Sequence, residues 1–320
     1  IFGENLITWC ILHLLLFIAY TQQHKCMHDE LFKHHKPRIL EETIPMAKGR
    51  IMQEAYWRKL RIDLNYDLLD SFSVQHPNLA SKIGISRRLL ARVKRYFEST
   101  LEVYSLDVLT FKPSTCSDQS LQGFSKEVDL MIYVTPETQD KGYFAAAVSC
   151  YQNPIDQRSS VGIYFLSFVN MKDTKLHEYM YYSTFAHEFT HILGFSANLY
   201  GLFVDSSRNI IGQNNIIKQE QLGDQTFNFF THPIVKKAAI DFFNCKALPG
   251  IPLQMTRGDV NKVNSHWDRK FLPVEYMNPL VENPGHISRL SLSLLESSGW
   301  YKVNVQNKHR LFTSMLRHIN

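Results

Sequence analysis

Along the chain, apolar and polar positions follow a two-residue or unbroken apolar pattern in four stretches and a helical period in four others. Leu60-Arg61-Ile62-Asp63-Leu64 alternates and predicts a first strand. Ser86 to Glu98 predicts an amphipathic helix, with Arg87, Arg88, Arg92, Lys94 and Arg95 on its wet side and Leu89, Leu90, Val93 and Phe97 opposite. Val128 to Val134 is a short apolar run that suits a buried strand. Ala145 to Tyr151 and Val161 to Phe168 suit two more, on either side of the turn-like Gln152-Asn153-Pro154. Tyr179 to Leu193 predicts a helix, which Gly194 ends because glycine accepts positive φ without a Cβ clash. Between residues 195 and 265 the pattern weakens and reads as an insertion with one clear helix, Pro233 to Phe243. A last helix runs Ser288 to Ser297 and stops at Gly299. Strands and helices in this mixture predict an α+β fold.

The ends read differently. Leu6 to Tyr20 is almost wholly apolar, shorter than the roughly 18 to 20 residues a spanning helix needs, and Thr21-Gln22-Gln23 suits a cleavage region. Residues 1–22 are therefore expected to be a signal peptide, placing the protein in the secretory pathway, extracellular or at the cell surface. Residues 23–50 are rich in His and Lys, carry Pro37 and Pro45 and show no period, as a pro-segment or linker would. The expected organisation continues with an N-terminal subdomain over 51–194, the insertion over 195–265 and a C-terminal region over 266–320.

Composition adds two constraints. With 320 residues, 44% of them hydrophobic, a substantial core is available. The net charge of +5 is spread out and lacks the dense basic stripe that phosphate binding needs, so no nucleic-acid partner is expected. Of the cysteines at 10, 26, 116, 150 and 245, Cys10 falls in the signal. Cys116 and Cys150 are the expected pair in an oxidising compartment. Neither a Gly-x-Ser-x-Gly elbow nor a phosphate-binding glycine loop occurs.

The chemistry concentrates at His187-Glu188-Phe189-Thr190-His191. Residues four apart share a helix face, so the two imidazoles can meet one Zn²⁺, while Glu188 projects toward water on that metal as a general base. A catalytic site of this kind needs a third protein ligand. A compact arrangement would put a histidine six positions after His191, where Ala197 stands; His232, His266, His286, His309 and His318 remain as candidates. Asn264-Ser265-His266-Trp267-Asp268 stands apart, because Glu275-Tyr276-Met277-Asn278-Pro279 follows and can seat a thioether under a metal site.

These residues resemble the leishmanolysin family of metzincin zinc peptidases. The resemblance runs through His-Lys-Cys-Met-His-Asp at 24–29, Leu-Arg-Ile at 60–62, Gly-Phe-Ser at 123–125 and His-Glu-Phe-Thr-His-Ile-Leu-Gly-Phe-Ser at 187–196. It continues through Ser265-His266-Trp267, the Glu-Tyr-Met-Asn-Pro turn, the run 290–296 and Gly299-Trp300-Tyr301. It implies a metzincin-type fold, with a twisted mixed sheet, an active-site helix and an insertion before the third ligand. It also implies one zinc ion on His187, His191 and His266, Glu188 as general base, Met277 in the Met-turn and protein or peptide substrates. Cys26 then becomes a pro-segment switch whose thiolate fills the open metal position. Family members continue into a cysteine-rich C-terminal region, so Cys245 is expected to lack its partner here and the chain to be truncated at both ends. A cell-surface adhesion protein that kept this scaffold without turnover is the alternative expectation. An extended substrate is expected to add to the strand edge near Ala145 to Cys150.

Overall fold

A computed structural model describes residues 24–40, 57–105, 108–172, 175–222, 224–255, 259–281 and 285–304. The apolar runs become the main sheet, made of β1 (Arg38–Ile39), β2 (Ile62–Asn65), β3 (Leu130–Glu137), β4 (Ala145–Gln152) and β5 (Ser159–Ser167). Its spatial order is β1-β4-β5-β3-β2. β3 runs parallel to β5 and β2, β4 is antiparallel to β5, and the short β1 runs parallel to the end of β4. Every residue of β4 and β5 is buried, which is why neither alternates in sequence.

Four helices carry the site or pack near it: α1 (Ala80–Thr100), α2 (Lys175–Leu193), α3 (Pro233–Phe243) and α4 (Arg289–Ser297). α1 and α2 cover one sheet face. Phe97 of α1 stacks on Phe189 of α2 at 5.5 Å, and Tyr164 of β5 meets Phe185 edge-on at 5.9 Å. Gly162 on β5 admits α2 closely, since a Cβ there would lie 2.9 Å from Ile192 Cγ2. The basic face of α1 is wet as expected: Arg88 pairs with Glu178 at 2.6 Å, Lys94 with Glu98 at 2.8 Å, and Arg92 lies over the Tyr182 ring. The helix begins six residues earlier than its amphipathic stretch suggested, because Ile83 and Ile85 extend the buried face.

The other sheet face is covered by two short antiparallel pairs, Leu109–Phe111 with Phe124–Lys126 and Ser114–Cys116 with Gln119–Leu121. Their Phe111, Leu121 and Cys116 pack with Met131, Tyr133, Val148 and Ile163, and Phe32 and Leu40 complete this second core. Cys116 is joined to Cys150 of β4 by a disulfide.

Three expectations change. The strand predicted over 60–64 forms only from Ile62, as β2 of the main sheet; Leu60 and Arg61 stand between it and a separate strand, Trp57–Lys59, which joins a small sheet with Leu101–Tyr104 and Tyr301–Val303. The break falls at Arg61, whose backbone N and side-chain Nε both bond the buried Asp129 carboxylate, at 2.9 and 3.0 Å. The insertion holds a β-hairpin, Ile217–Leu222 with Gln225–Phe230, besides α3. Its first strand buries Ile217 but exposes Lys218 to Gln221, so periodicity along it gave no signal. Finally, residues 24–40 pack onto the body of the protein, although they carry no period. Among the described residues no helix is long and apolar enough to cross a membrane; Leu6 to Tyr20 lies outside them.

The disulfide closes a loop of 34 residues. Its loss should lower stability by about 3–4 kcal/mol on chain-entropy grounds. Denaturant unfolding of the Cys116→Ser/Cys150→Ser protein measures this, and a change under about 1 kcal/mol would show that the covering hairpins are held by packing alone.

Candidate metal centre

Three imidazoles and a thiol converge on one buried point. His187 and His191 lie one turn apart on α2, and both are fully buried. Helix α2 ends after Leu193, where Gly194 takes φ +146° and turns the chain so that the Phe195 carbonyl faces back toward His191. His266 arrives on a loop segment. Gln254 N bonds the His266 carbonyl at 2.9 Å and Trp267 N bonds the Met277 carbonyl at 3.0 Å, so this segment is held between residues 251–254 and the turn at 275–278. Asn278 N closes that turn on the Glu275 carbonyl at 3.2 Å, and Met277 is fully buried in it.

Each ring is fixed by an acceptor on Nδ1. His187 Nδ1 lies 2.5 Å from the Tyr276 carbonyl, His191 Nδ1 lies 2.6 Å from the Phe195 carbonyl, and His266 Nδ1 lies 2.9 Å from Asn264 Oδ1 and 3.1 Å from the Asp29 carboxylate. A nitrogen facing an oxygen acceptor carries the proton, so the Nε2 lone pairs are left to point inward. They converge: Nε2 of His187 is 3.1 Å from that of His191 and 3.3 Å from that of His266, and Cys26 Sγ is 3.4 Å from His191 Nε2. All four ligand atoms lie within 4.8 Å of one another.

Lone pairs aimed at each other repel unless a cation sits between them, and burial withholds the alternative of protonation. Burial, then the charges of His28, His187 and His266, push the His191 pKa well below its ordinary value. Burial, then the Glu188 carboxylate, push the Cys26 thiol well above its own. A neutral His191 imidazole and a thiol that needs a compensating positive charge to ionise, beside two further imidazole nitrogens, are the donors a zinc ion takes. Nitrogens bound tetrahedrally at about 2.0–2.1 Å would stand about 3.3 Å apart, close to the separations found. The donor set therefore fits a zinc-sized ion.

Glu188 faces the same space. It is fully buried, with Oε1 4.0 Å from His187 Nε2 and its charge acting on Cys26. Of the other histidines weighed from sequence, His232 caps α3 by accepting from Ile234 N at 3.3 Å, and the His286 backbone bridges to Glu275. His309 and His318 lie outside the described residues. Cys245 is exposed in the loop after α3.

Sequence reading missed the residues that hold the ligands. His28 stacks on His191 with centroids 4.0 Å apart, and Asp29 binds both His266 and Ser265. Both stand in the His-Lys-Cys-Met-His-Asp motif, where only Cys26 had been given a role. Tyr276, beside Met277, supplies its carbonyl to His187 and shares a 2.9 Å hydrogen bond between its hydroxyl and Thr190. Behind the turn, Trp267 Nε1 donates to Ser291 Oγ at 2.9 Å, and that hydroxyl donates to the buried Glu275 carboxyl, joining α4 to the third-ligand segment. A buried glutamate in a turn has no periodic signature.

A helix-borne His-Glu-x-x-His, a third histidine on a distant segment and a buried methionine turn define a centre of the metallopeptidase class. The family model for leishmanolysin, peptidase M8, matches residues 109–314, and the chain belongs to that family. A leishmanolysin-like peptidase of Caenorhabditis elegans is 29% identical over 221 residues, 57% of this chain and 32% of that protein. The ciliated left-right organizer metallopeptidase of Xenopus laevis is 25% identical over 197 residues, 58% of this chain and 26% of its own length. A leishmanolysin-like peptidase of Drosophila melanogaster is 26% identical over 152 residues, 38% of this chain and 22% of that protein. The match thus spans a third or less of each of these relatives.

Two outcomes follow from this geometry. His266→Ala should weaken zinc binding by more than the roughly 10–100-fold that an outer-shell change costs, measured by competition with a chelator; an unchanged affinity would remove His266 from the ligand set. Burial pushes the Glu275 carboxyl up to about 7. The folded protein thus holds a proton that the unfolded chain releases nearer 4.5, and the stability this contributes is fully present below about pH 4.5 and lost as pH rises through about 7. The span is worth roughly 3 kcal/mol, and Glu275→Gln should flatten it in denaturant unfolding followed between pH 5 and 8. An unaltered pH dependence would contradict the assignment.

Proposed function

We propose that this chain is the catalytic portion of a zinc-dependent endopeptidase with a metzincin-type fold, acting on proteins or peptides in the secretory pathway or at the cell surface. The observation that carries the proposal is the convergence of three Nδ1-anchored imidazoles beside a buried Glu188. His187, His191 and His266 would hold one zinc ion, which supplies Lewis-acid polarisation of a peptide carbonyl and acidifies water at its open position. Cys26, 3.4 Å from His191 Nε2, would fill that position in the uncleaved chain.

Once Cys26 withdraws, Glu188 has one task. Its carboxylate takes the proton of the attacking water and returns it to the departing amine, a general base followed by a general acid. His187 and His191 keep their orientation through the Tyr276 and Phe195 carbonyls, so Nε2 stays directed inward while charge develops. An extended substrate would align along the β4 edge, where main-chain pairing recognises any peptide and leaves specificity to side-chain pockets. The Cys116–Cys150 disulfide supports an oxidising compartment.

Glu188→Ala tests the mechanism. It should lower cleavage of an unstructured protein substrate by about 10²–10⁴-fold while one zinc per chain is retained. Cleavage at the parent rate would refute the base. One bound zinc with no chelator-sensitive cleavage by the parent, processed and shown to be folded, would favour the adhesion alternative.

A further inference from the structure

Residues 24–40 cross the front of the site, and they are held at far more points than the thiol. His24–Lys25 pairs antiparallel with Leu280–Val281, and Cys26 N donates to the Pro279 carbonyl at 3.0 Å. His28 joins its Nδ1 to the Ala147 carbonyl and its Nε2 to Ser196 Oγ, both at 2.9 Å. Beyond Asp29 the chain leaves the ligands behind and continues along β4. Phe32 is 7% exposed and stacks on Phe165 at 6.3 Å, while its carbonyl accepts from Asn198 Nδ2 at 2.9 Å. His35 Nε2 bonds the Ser149 carbonyl at 2.8 Å, Leu40 N bonds the Gln152 carbonyl at 2.8 Å, and Leu40 is itself buried. Arg38 lies over the Tyr151 ring and bonds the Thr115 carbonyl.

The free edge of β4 is therefore already paired. The carbonyls of Ala147, Ser149 and Gln152 meet two imidazole nitrogens and one backbone N–H, the donors that an extended peptide would otherwise bring. The ladder shifts register between Ser149 and Gln152, and β1 regains regular pairing only at Tyr151 and Gln152. Side-chain donors bridge the stretch where backbone pairing does not reach. Phe32 and Leu40 meanwhile fill the second core, so lifting this segment exposes apolar surface that the thiol does not touch.

We infer that the β4 edge with the Phe165 face is a peptide-docking surface whose occupant is residues 27–40 of this chain, and that this occupant stays bound when the Cys26 thiol is removed. The inference rests on reading the centre as a peptidase site. It assigns the uncovering of the centre to the distal latch of Phe32, His35 and Leu40, with the thiol as a local contact at the ligand cluster. Access then requires release of the whole segment through Leu40.

Hydrogen exchange on the full chain, with zinc present, tests this without any need for turnover, so a protein that never cleaved a peptide would still decide it. The amides of Glu30, Leu31, Phe32 and Leu40 report docking, and those of Leu130–Val134 in β3 report that the body stays folded. Cys26→Ser should change exchange of the docking amides by less than tenfold. Phe32→Ala/His35→Ala, with Cys26 intact, should raise it tenfold or more with β3 unchanged. If the double variant loosens β3 as well, His35→Ala alone, at a half-buried position, carries the test with the same expected direction. A tenfold or greater increase in Cys26→Ser, or none in the latch variants, would overturn the inference.

Discussion

Everything at this centre depends on three imidazole lone pairs being held toward one point. A histidine left to itself turns either nitrogen to whatever acceptor is near. Here Tyr276 and Phe195 carbonyls and the Asn264 amide oxygen occupy Nδ1 of each ring, and burial keeps at least His191 neutral. The fold can be read as the means of delivering those acceptors. Gly194 ends α2 so that Phe195 returns to His191, the methionine turn presents Tyr276 to His187, and Trp267 ties the third-ligand segment to that turn. The buried chain from Trp267 through Ser291 to Glu275 then fastens the turn to α4, so even the last described helix acts on the ligands.

The sequence made part of this legible for a physical reason. His187 and His191 announce themselves because a helix places residues four apart on one face, and the intervening glutamate adds chemistry to spacing. The main strands were legible because burial on both faces makes them apolar throughout. His266 was not distinguished by spacing, since the insertion over 195–265 separates it from His191 and several other histidines follow. The resemblance to a family selected it. The acceptors on Nδ1 were mostly illegible, because backbone carbonyls have no residue signature.

Residues 24–40 were the hardest stretch to read. Periodicity reports an element that buries one face against a core, whereas this segment is fastened by individual side chains to several elements: His28 to Ala147 and Ser196, Asp29 to Ser265 and His266, His35 to Ser149. Such a segment looks like a linker until its partners are known. The late start of β2 is a related case: Leu60 and Arg61 share the alternating pattern but stay outside the strand, where Arg61 pairs with buried Asp129. The insertion hairpin, whose first strand buries Ile217 but exposes Lys218 to Gln221, shows the same limit.

Cobalt substitution offers the most direct measurement of the central claim, because Co²⁺ in the same site reports its ligands by absorption. The full chain should bind one Co²⁺ and show both tetrahedral d–d bands and a thiolate charge-transfer band. In Cys26→Ser the charge-transfer band should vanish while one Co²⁺ remains on the three imidazoles. No bound metal in the folded full chain, or a spectrum unaffected by His187→Ala, would contradict the account.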